Sequence, residues 1–253
     1  MKALILVGGR GTRLRPYTLA IPKPLLPLRE KPVLQWIIER FRDSKIQEII
    51  LATGFQAGLI RGFCGDGTRF GVEITYVHES KPLGTAGPLS LVRNMIEPDE
   101  HFILMNGDIV TQLAFNPFIA FGLSRSFDLT VGYAKYAYRS PFGVLTVEDD
   151  VVRDIEEKPE YSYPVSAGIY LIKGSALAFV PDETFFLMPE LMKRMMAAGI
   201  TIGAYLIEEF WMGLECLKDF KGALKELNRA CGMSPNVEQH VGSSVCPLGD
   251  THS

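Results

Sequence analysis

The sequence predicts an α/β fold: a Rossmann-like, mixed but mostly parallel sheet with helices on both faces and a β-rich second lobe. Three observations carry this. An uninterrupted apolar run, Ala3-Leu4-Ile5-Leu6-Val7, ends in Gly8-Gly9-Arg10-Gly11, the pattern of a strand buried on both faces that opens into a tight loop. Strand-like and helix-like segments then alternate to about residue 105, the order that builds parallel sheets through crossover helices. Beyond about residue 126, short β-rich segments dominate instead.

The elements follow from local pattern. Pro32 opens a helix at its first turn, and Val33, Leu34, Ile37, Ile38 and Phe41 recur at helical spacing. Residues 48–53 read as a second strand closed by Gly54, residues 56–63 as a short helix, and residues 72–77 as a third strand. A helix is expected over 85–96, with Thr85 as a cap, and a fourth strand over 101–105. In the second half, a helix over 116–126 precedes strands at 129–136, 143–147, 152–155 and 167–172. A helix over 189–198, a strand over 202–207 and a helix over 218–230 complete the core. The reading divides the chain into one domain, residues 1–230, and a polar C-terminal tail, residues 231–253.

Composition narrows the classes. The chain has 253 residues, 47% of them hydrophobic, enough for one substantial core. A net charge of −3 gives no electrostatic case for nucleic acid or an anionic membrane. No apolar stretch reaches membrane-spanning length, and no signal-peptide pattern is expected at the N-terminus. Cys64, Cys216, Cys231 and Cys246 show no close pairing, so reduced thiols in a cytoplasmic protein are expected. The four histidines lack ligand spacing and are assigned no chemistry.

The first two dozen residues concentrate the chemistry. Gly8, Gly9 and Gly11 let backbone N–H groups approach an anion, because no Cβ stands in the way. Arg10, Arg13, Arg15 and Lys23 add cations able to reach several phosphate oxygens at once. The pattern points to a polyphosphate site. It is neither a P-loop, since no Gly-Lys-Ser/Thr follows, nor a dinucleotide loop, since Gly-x-Gly-x-x-Gly breaks at Leu14. After the fourth strand, Asn106-Gly107-Asp108 admits two readings. It is a strand-end turn, or a carboxylate at a sheet's carboxyl edge placed to hold Mg²⁺.

These motifs resemble a known family. Gly8-Gly9-Arg10-Gly11-Thr12-Arg13-Leu14 with Pro22-Lys23-Pro24 is similar to the signature of sugar-1-phosphate nucleotidyltransferases, the NDP-sugar pyrophosphorylases. Leu6-Val7 before the glycines most resembles the mannose-1-phosphate guanylyltransferases. The resemblance runs from Met1 to about Phe220, and the β-helix of hexapeptide repeats that many relatives carry is not expected in these residues. It implies transfer of a nucleoside monophosphate, GMP favoured, from a nucleoside triphosphate to a sugar 1-phosphate or similar acceptor, with release of pyrophosphate. It implies Arg13, Lys23 and Asp108 as catalytic residues, with Asp108 as the Mg²⁺ ligand. Leu6, Gly8, Gly9, Gly11, Thr12 and Arg13 would bind the nucleotide, joined by Gly84 and Thr85 of Leu83-Gly84-Thr85-Ala86-Gly87. Gly143, Glu157, Lys158 and Gly168 would line the acceptor site in the β-rich lobe. For Glu157-Lys158-Pro159 the sequence alone also admits a solvated charge run. A homo-oligomer is left open.

The same resemblance exposes departures. In the segment 210–220, the aspartate that usually completes metal binding falls at Gly213, and a usual glycine falls at Glu215. Ser166 replaces a usual asparagine, and an acidic residue expected before Pro189 is replaced in a region holding Thr184 and Phe186. An unusual acceptor, a relocated carboxylate (Glu215, Glu208 or Glu209) or lost catalysis would each account for this. The last would make the chain a nucleotide-sugar-binding regulatory paralogue. Glu215 can stand in for Gly213 only if the stretch is extended, because alternation then keeps both positions on one side.

Overall fold

In the computed structural model, which describes residues 1–230, the chain folds as three layers, a seven-stranded sheet between two sets of helices. Strand β1 (Lys2–Leu6) leads through a short helix α1 (Tyr17–Ala20) and the two-residue strands β2 (Pro27–Leu28) and β3 (Lys31–Pro32) to α2 (Val33–Asp43). Then follow β4 (Glu48–Thr53), α3 (Ala57–Cys64), β5 (Glu73–His78), a 3₁₀ helix over Gly87–Met95 and β6 (His101–Asn106). The second half comprises β7 (Ile109–Thr111), α4 (Phe115–Ser124), β8 (Leu129–Arg139), β9 (Val144–Glu148), β10 (Val151–Glu156) and β11 (Glu160–Lys173). It ends with α5 (Met188–Ala197), β12 (Gly203–Leu206), β13 (Trp211–Gly213) and α6 (Leu217–Ala230).

The sheet order is β12-β8-β11-β6-β1-β4-β5, and only β11 runs against its neighbours. The expected mixed, mostly parallel sheet is therefore present. Alternation along each strand explains the layers. Ala3 and Ile5 of β1, Ile49 and Leu51 of β4, and Ile103 and Met105 of β6 pack with Leu34, Ile38 and Phe41 of α2. Their neighbours Leu4, Ile50, Phe102 and Leu104 face the other way, against Leu89, Val92, Leu191 and Met195. A strand apolar at every position is what two covered faces require.

The order reverses at β1. The chain adds β4 and β5 on one side, then crosses back to place β6 on the other. Loops after β1 and β6 therefore diverge and leave a crevice at the strands' carboxyl ends.

Four expectations are corrected. The helix expected at 85–96 is a 3₁₀ helix over Gly87–Met95. Its start is tied elsewhere: the Ala86 and Gly87 N–H groups both donate to the Phe186 carbonyl, at 2.9 and 3.1 Å. Thr85 does not cap it, since its Oγ1 accepts from Met188 N–H at 2.9 Å. β11 begins at Glu160, earlier than the expected residue 167, because it pairs with β8 along a ribbon that leaves the core. β7 and β13, short strands paired antiparallel, have no counterpart in the sequence reading. The tail, 231–253, lies outside the described residues. No helix among the described residues is long and apolar enough to cross a membrane.

Candidate active site

The glycine loop is built by close approach. Gly107 N–H donates to the Leu6 carbonyl at 2.9 Å, and a Cβ on Gly107 would lie 2.6 Å from that oxygen. The ends of β1 and β6 are thereby clamped together. Gly11 sits at φ 58°, where a Cβ would lie 2.9 Å from the Thr18 methyl and 3.1 Å from Lys23 Cβ. Only glycine lets the loop turn there and bring Lys23 underneath it. Thr18 Oγ1 donates to the Gly11 carbonyl at 2.8 Å and pins the turn.

The loop opens on a cleft of about 780 Å³. Leu6, Gly8, Gly9, Gly11, Thr12 and Arg13 line it from one wall, Gly84 and Thr85 from another, with Lys23 and Asp108 at its base. Arg10 also lines it, its guanidinium 6.0 Å from the Phe55 ring centroid, whereas Arg15 does not. Lys23 Nζ forms an ion pair with Asp108 Oδ2, and the lysine is largely covered. Glu215 reaches the same place, with Oε2 2.6 Å from an Arg13 terminal nitrogen and 3.9 Å from Lys23 Nζ. Two cations thus meet two carboxylates across 202 residues of sequence separation.

The position of Glu215 follows from the short strands the sequence reading missed. Gly213 pairs with Ile109, and Leu214 N–H donates to the Asp108 carbonyl at 2.9 Å. Leu214 is fully buried. Extended alternation then turns both Gly213 and Glu215 away from the core. Glu208 and Glu209 are not relocated to this cleft. They line a separate hollow with Lys135 and Trp211, and Glu209 Oε1 accepts from Ala114 N–H at 3.2 Å.

Among the lining residues to which the sequence reading gave no role are Glu79 and Phe185. Glu79 stands against Gly8, close enough that a Cβ there would collide with its Oε1. Its Oε2 accepts from Leu83 N–H at 3.2 Å. Burial pushes the Glu79 carboxyl above its ordinary range, and the Leu83 hydrogen bond opposes this only in part. Phe185 lines the cleft as an exposed aromatic from the loop before α5. Glu79 lies five residues before the Gly84-Thr85 pair, so proximity to it was the only available signal.

The acceptor residues of the sequence reading divide. Gly168 sits at φ 68° in an irregularity of β11, against Asn106 and Ile109 and so directly behind the cleft. Gly143 approaches Glu157: a Cβ on Gly143 would lie 3.2 Å from Glu157 Oε2. Lys158 lies 3.5 Å from Glu157 and is half exposed, on the ribbon formed by β8, β11 and the β9–β10 hairpin. Gly143, Glu157 and Lys158 do not line the cleft.

Among the described residues, no trio of His, Cys, Asp and Glu converges on a metal-sized site. The oxygens present nonetheless suit a hard divalent cation. Asp108 offers a carboxylate in the cleft, and Asn106 Oδ1, two residues before it, is buried without a hydrogen-bond partner.

Residues 2–221 match the family described as Nucleotidyl transferase. Probable mannose-1-phosphate guanylyltransferase 1 of Oryza sativa subsp. japonica is 35% identical over 232 residues, covering 89% of this chain and 64% of that protein. The mannose-1-phosphate guanylyltransferase catalytic subunit beta of Danio rerio is 34% identical, covering 87% and 62%. The chain thus spans under two thirds of the length of these relatives. Among solved structures, HddC from Yersinia pseudotuberculosis complexed with GMP-PN aligns with a TM-score of 0.68 at 25% identity, covering 89% of this chain and 99% of that one. A putative glucose-1-phosphate thymidylyltransferase from Bacillus anthracis shares the fold, with a TM-score of 0.74 at 24% identity and coverage of 89% and 94%. A basic glycine loop at the reversal of a mixed sheet, a lysine–aspartate pair beneath it and a match over nearly the whole described chain agree: the protein belongs to the nucleotidyl transferase family.

Proposed function

We propose that the protein transfers a nucleoside monophosphate, GMP before others, from a nucleoside triphosphate to a sugar 1-phosphate or similar phosphorylated acceptor. The observation that carries this is the convergence of Arg13, Lys23 and Asp108 beneath the glycine loop in a single cleft. An acceptor phosphate oxygen attacks the α-phosphorus; the bond from that phosphorus to the α–β bridging oxygen breaks, and pyrophosphate leaves with its electron pair. Phosphate is already a competent nucleophile, so the protein's part is alignment and charge neutralisation.

In this reaction the N–H groups of the Gly8–Gly11 loop cradle the β- and γ-phosphates, and Arg13 and Lys23 neutralise the charge of the departing pyrophosphate. Asp108 would hold Mg²⁺, which when bound supplies further neutralisation of the phosphates. Gly84 and Thr85 border the nucleoside, and their close fit to Phe186 and Met188 supports a rigid wall there. Lys158 and Glu157 would meet the acceptor phosphate and its hydroxyls. A cytoplasmic location fits the free thiols of Cys64 and exposed Cys216.

Glu79 supports the choice of base. Guanine presents two adjacent donors, N1–H and the 2-amino group, which match the two oxygens of a carboxylate. Adenine would turn the N1 lone pair on the same oxygens. A half-buried carboxylate with one weak backbone partner gains most from such donors. Pyrophosphate release, followed with each common nucleoside triphosphate and a panel of sugar 1-phosphates, tests the reading. GTP is expected to lead, and Glu79→Gln to lower the GTP-to-ATP preference on the order of tenfold, the scale of one charge-assisted hydrogen bond. No release with any pair would overturn the transferase reading in favour of a regulatory nucleotide-sugar-binding role. Preference for a pyrimidine would overturn only the base.

A further inference from the structure

We infer that Glu215 is an exchangeable carboxylate: it occupies the phosphate-binding cations while the cleft is empty and becomes, with Asp108, a ligand of the divalent cation when a nucleoside triphosphate enters. The inference rests on the nucleotidyl-transfer reading of the cleft and assigns one of its residues a role particular to this chain.

Two features fix where Glu215 can act. The Leu214 N–H bond to the Asp108 carbonyl, at 2.9 Å, ties its backbone to that of Asp108. Asp219 Oδ2 then accepts from both the Glu215 and Cys216 N–H groups at 2.7 Å, bracing the turn into α6. The backbone is held, while the side chain is exposed enough to swing. A Cβ on Gly213 would meet nothing within 4 Å, so no neighbouring side chain contests the space beside it.

Charge then dictates the exchange. Arg13 and Lys23 balance Glu215 and Asp108, with Lys23 shared between them. An incoming polyphosphate takes the same two cations, because its oxygens offer more charge to the guanidinium fork. Asp108 and Glu215 are left facing several phosphate charges with no cation of their own. Like charges brought this close repel, and burial at the base of a cleft weakens the screening that water would supply. A divalent cation entering with the nucleotide removes that repulsion and receives both carboxylates. Glu215 therefore opposes metal-free nucleotide and favours the metal-loaded form.

The opposite signs make the test. GTP binding by the full chain is measured by calorimetry with chelator present, and Mn²⁺ binding to the GTP complex by the loss of the free-Mn²⁺ electron paramagnetic resonance signal. In Glu215→Gln, GTP is expected to bind more tightly than in wild type without metal, by several-fold. Mn²⁺ should bind the same complex more weakly, on the order of tenfold. In the double variant Gly213→Asp with Glu215→Gln, Mn²⁺ affinity should return, since the position beside Gly213 is open. Unchanged Mn²⁺ affinity in Glu215→Gln, or a shift of the same sign in both measurements, overturns the inference while leaving the transferase reading intact. Failure of wild type to bind any nucleoside triphosphate overturns both.

Discussion

Strands β8 and β11 live in two environments. The first residues of β8 and the last of β11 are buried in the central sheet, where Ile169 to Ile172 sit between β6 and β8. Their other ends, with the β9–β10 hairpin, form a ribbon exposed almost throughout. The cleft proposed for the nucleotide belongs to the first environment and the expected acceptor residues Gly143, Glu157 and Lys158 to the second. A site built on a doubly covered sheet has its backbone frame formed before its ligand arrives, because the strands that carry its loops are locked by core packing. A site on a two-sided ribbon has no such support. Tyr136, Phe142, Leu145, Val147 and Ile155 are all exposed there, so little of the ribbon's apolar surface is packed among the described residues. The contrast predicts a rigid frame on the proposed nucleotide side and adaptability on the proposed acceptor side.

The sharpest way to break this contrast is at the base of the cleft. Asp108→Asn and Lys23→Ala should each cut turnover by on the order of 10²–10³, as losing one preorganised electrostatic partner does. Pyrophosphate release is the readout, with melting temperature as the control for folding. If either variant keeps wild-type turnover, the preformed cleft is not where the chemistry occurs.

A stability comparison follows. Phe102→Ala, in a fully buried position between β6 and the flanking helices, should cost about 3–5 kcal/mol. Ile155→Ala, 64% exposed on the hairpin, should stay within about 0.5 kcal/mol. Chemical denaturation of both variants measures this. A large loss from Ile155→Ala would mean that the ribbon is packed against something in solution.

The smallest expected effect is on the acceptor side. Lys158→Ala should raise the acceptor KM by about tenfold, one charge-assisted contact, and leave the KM for nucleotide unchanged. Equal effects on both constants would place Lys158 in the nucleotide machinery and dissolve the division between the regions.

Local pattern was enough for much of this molecule. Gly8, Gly11, Arg13 and Lys23 lie within a short stretch, so glycine spacing and charge already described a phosphate loop. Asp108 follows a strand of Phe102, Ile103, Leu104 and Met105, so its place at a carboxyl edge could be read from the chain alone. The alternation of strands and helices to residue 105 was equally plain, because burial on both faces demands continuous apolar runs.

Other features exist only through contacts distant in sequence. The start of the segment 85–96 is claimed by the Phe186 carbonyl and Met188 N–H, a hundred residues away, and helical periodicity carries no trace of that. Glu79 reads as a loop residue until Gly8 and the Leu83 N–H close on its carboxylate. Glu215 depended on whether residues 211–215 were extended or helical, which three-residue strands decide by pairing rather than by composition. Cross-strand pairing is a tertiary event whose partner lies elsewhere in the chain. The carboxylate that meets Arg13 therefore became visible only when β13 was laid beside β7.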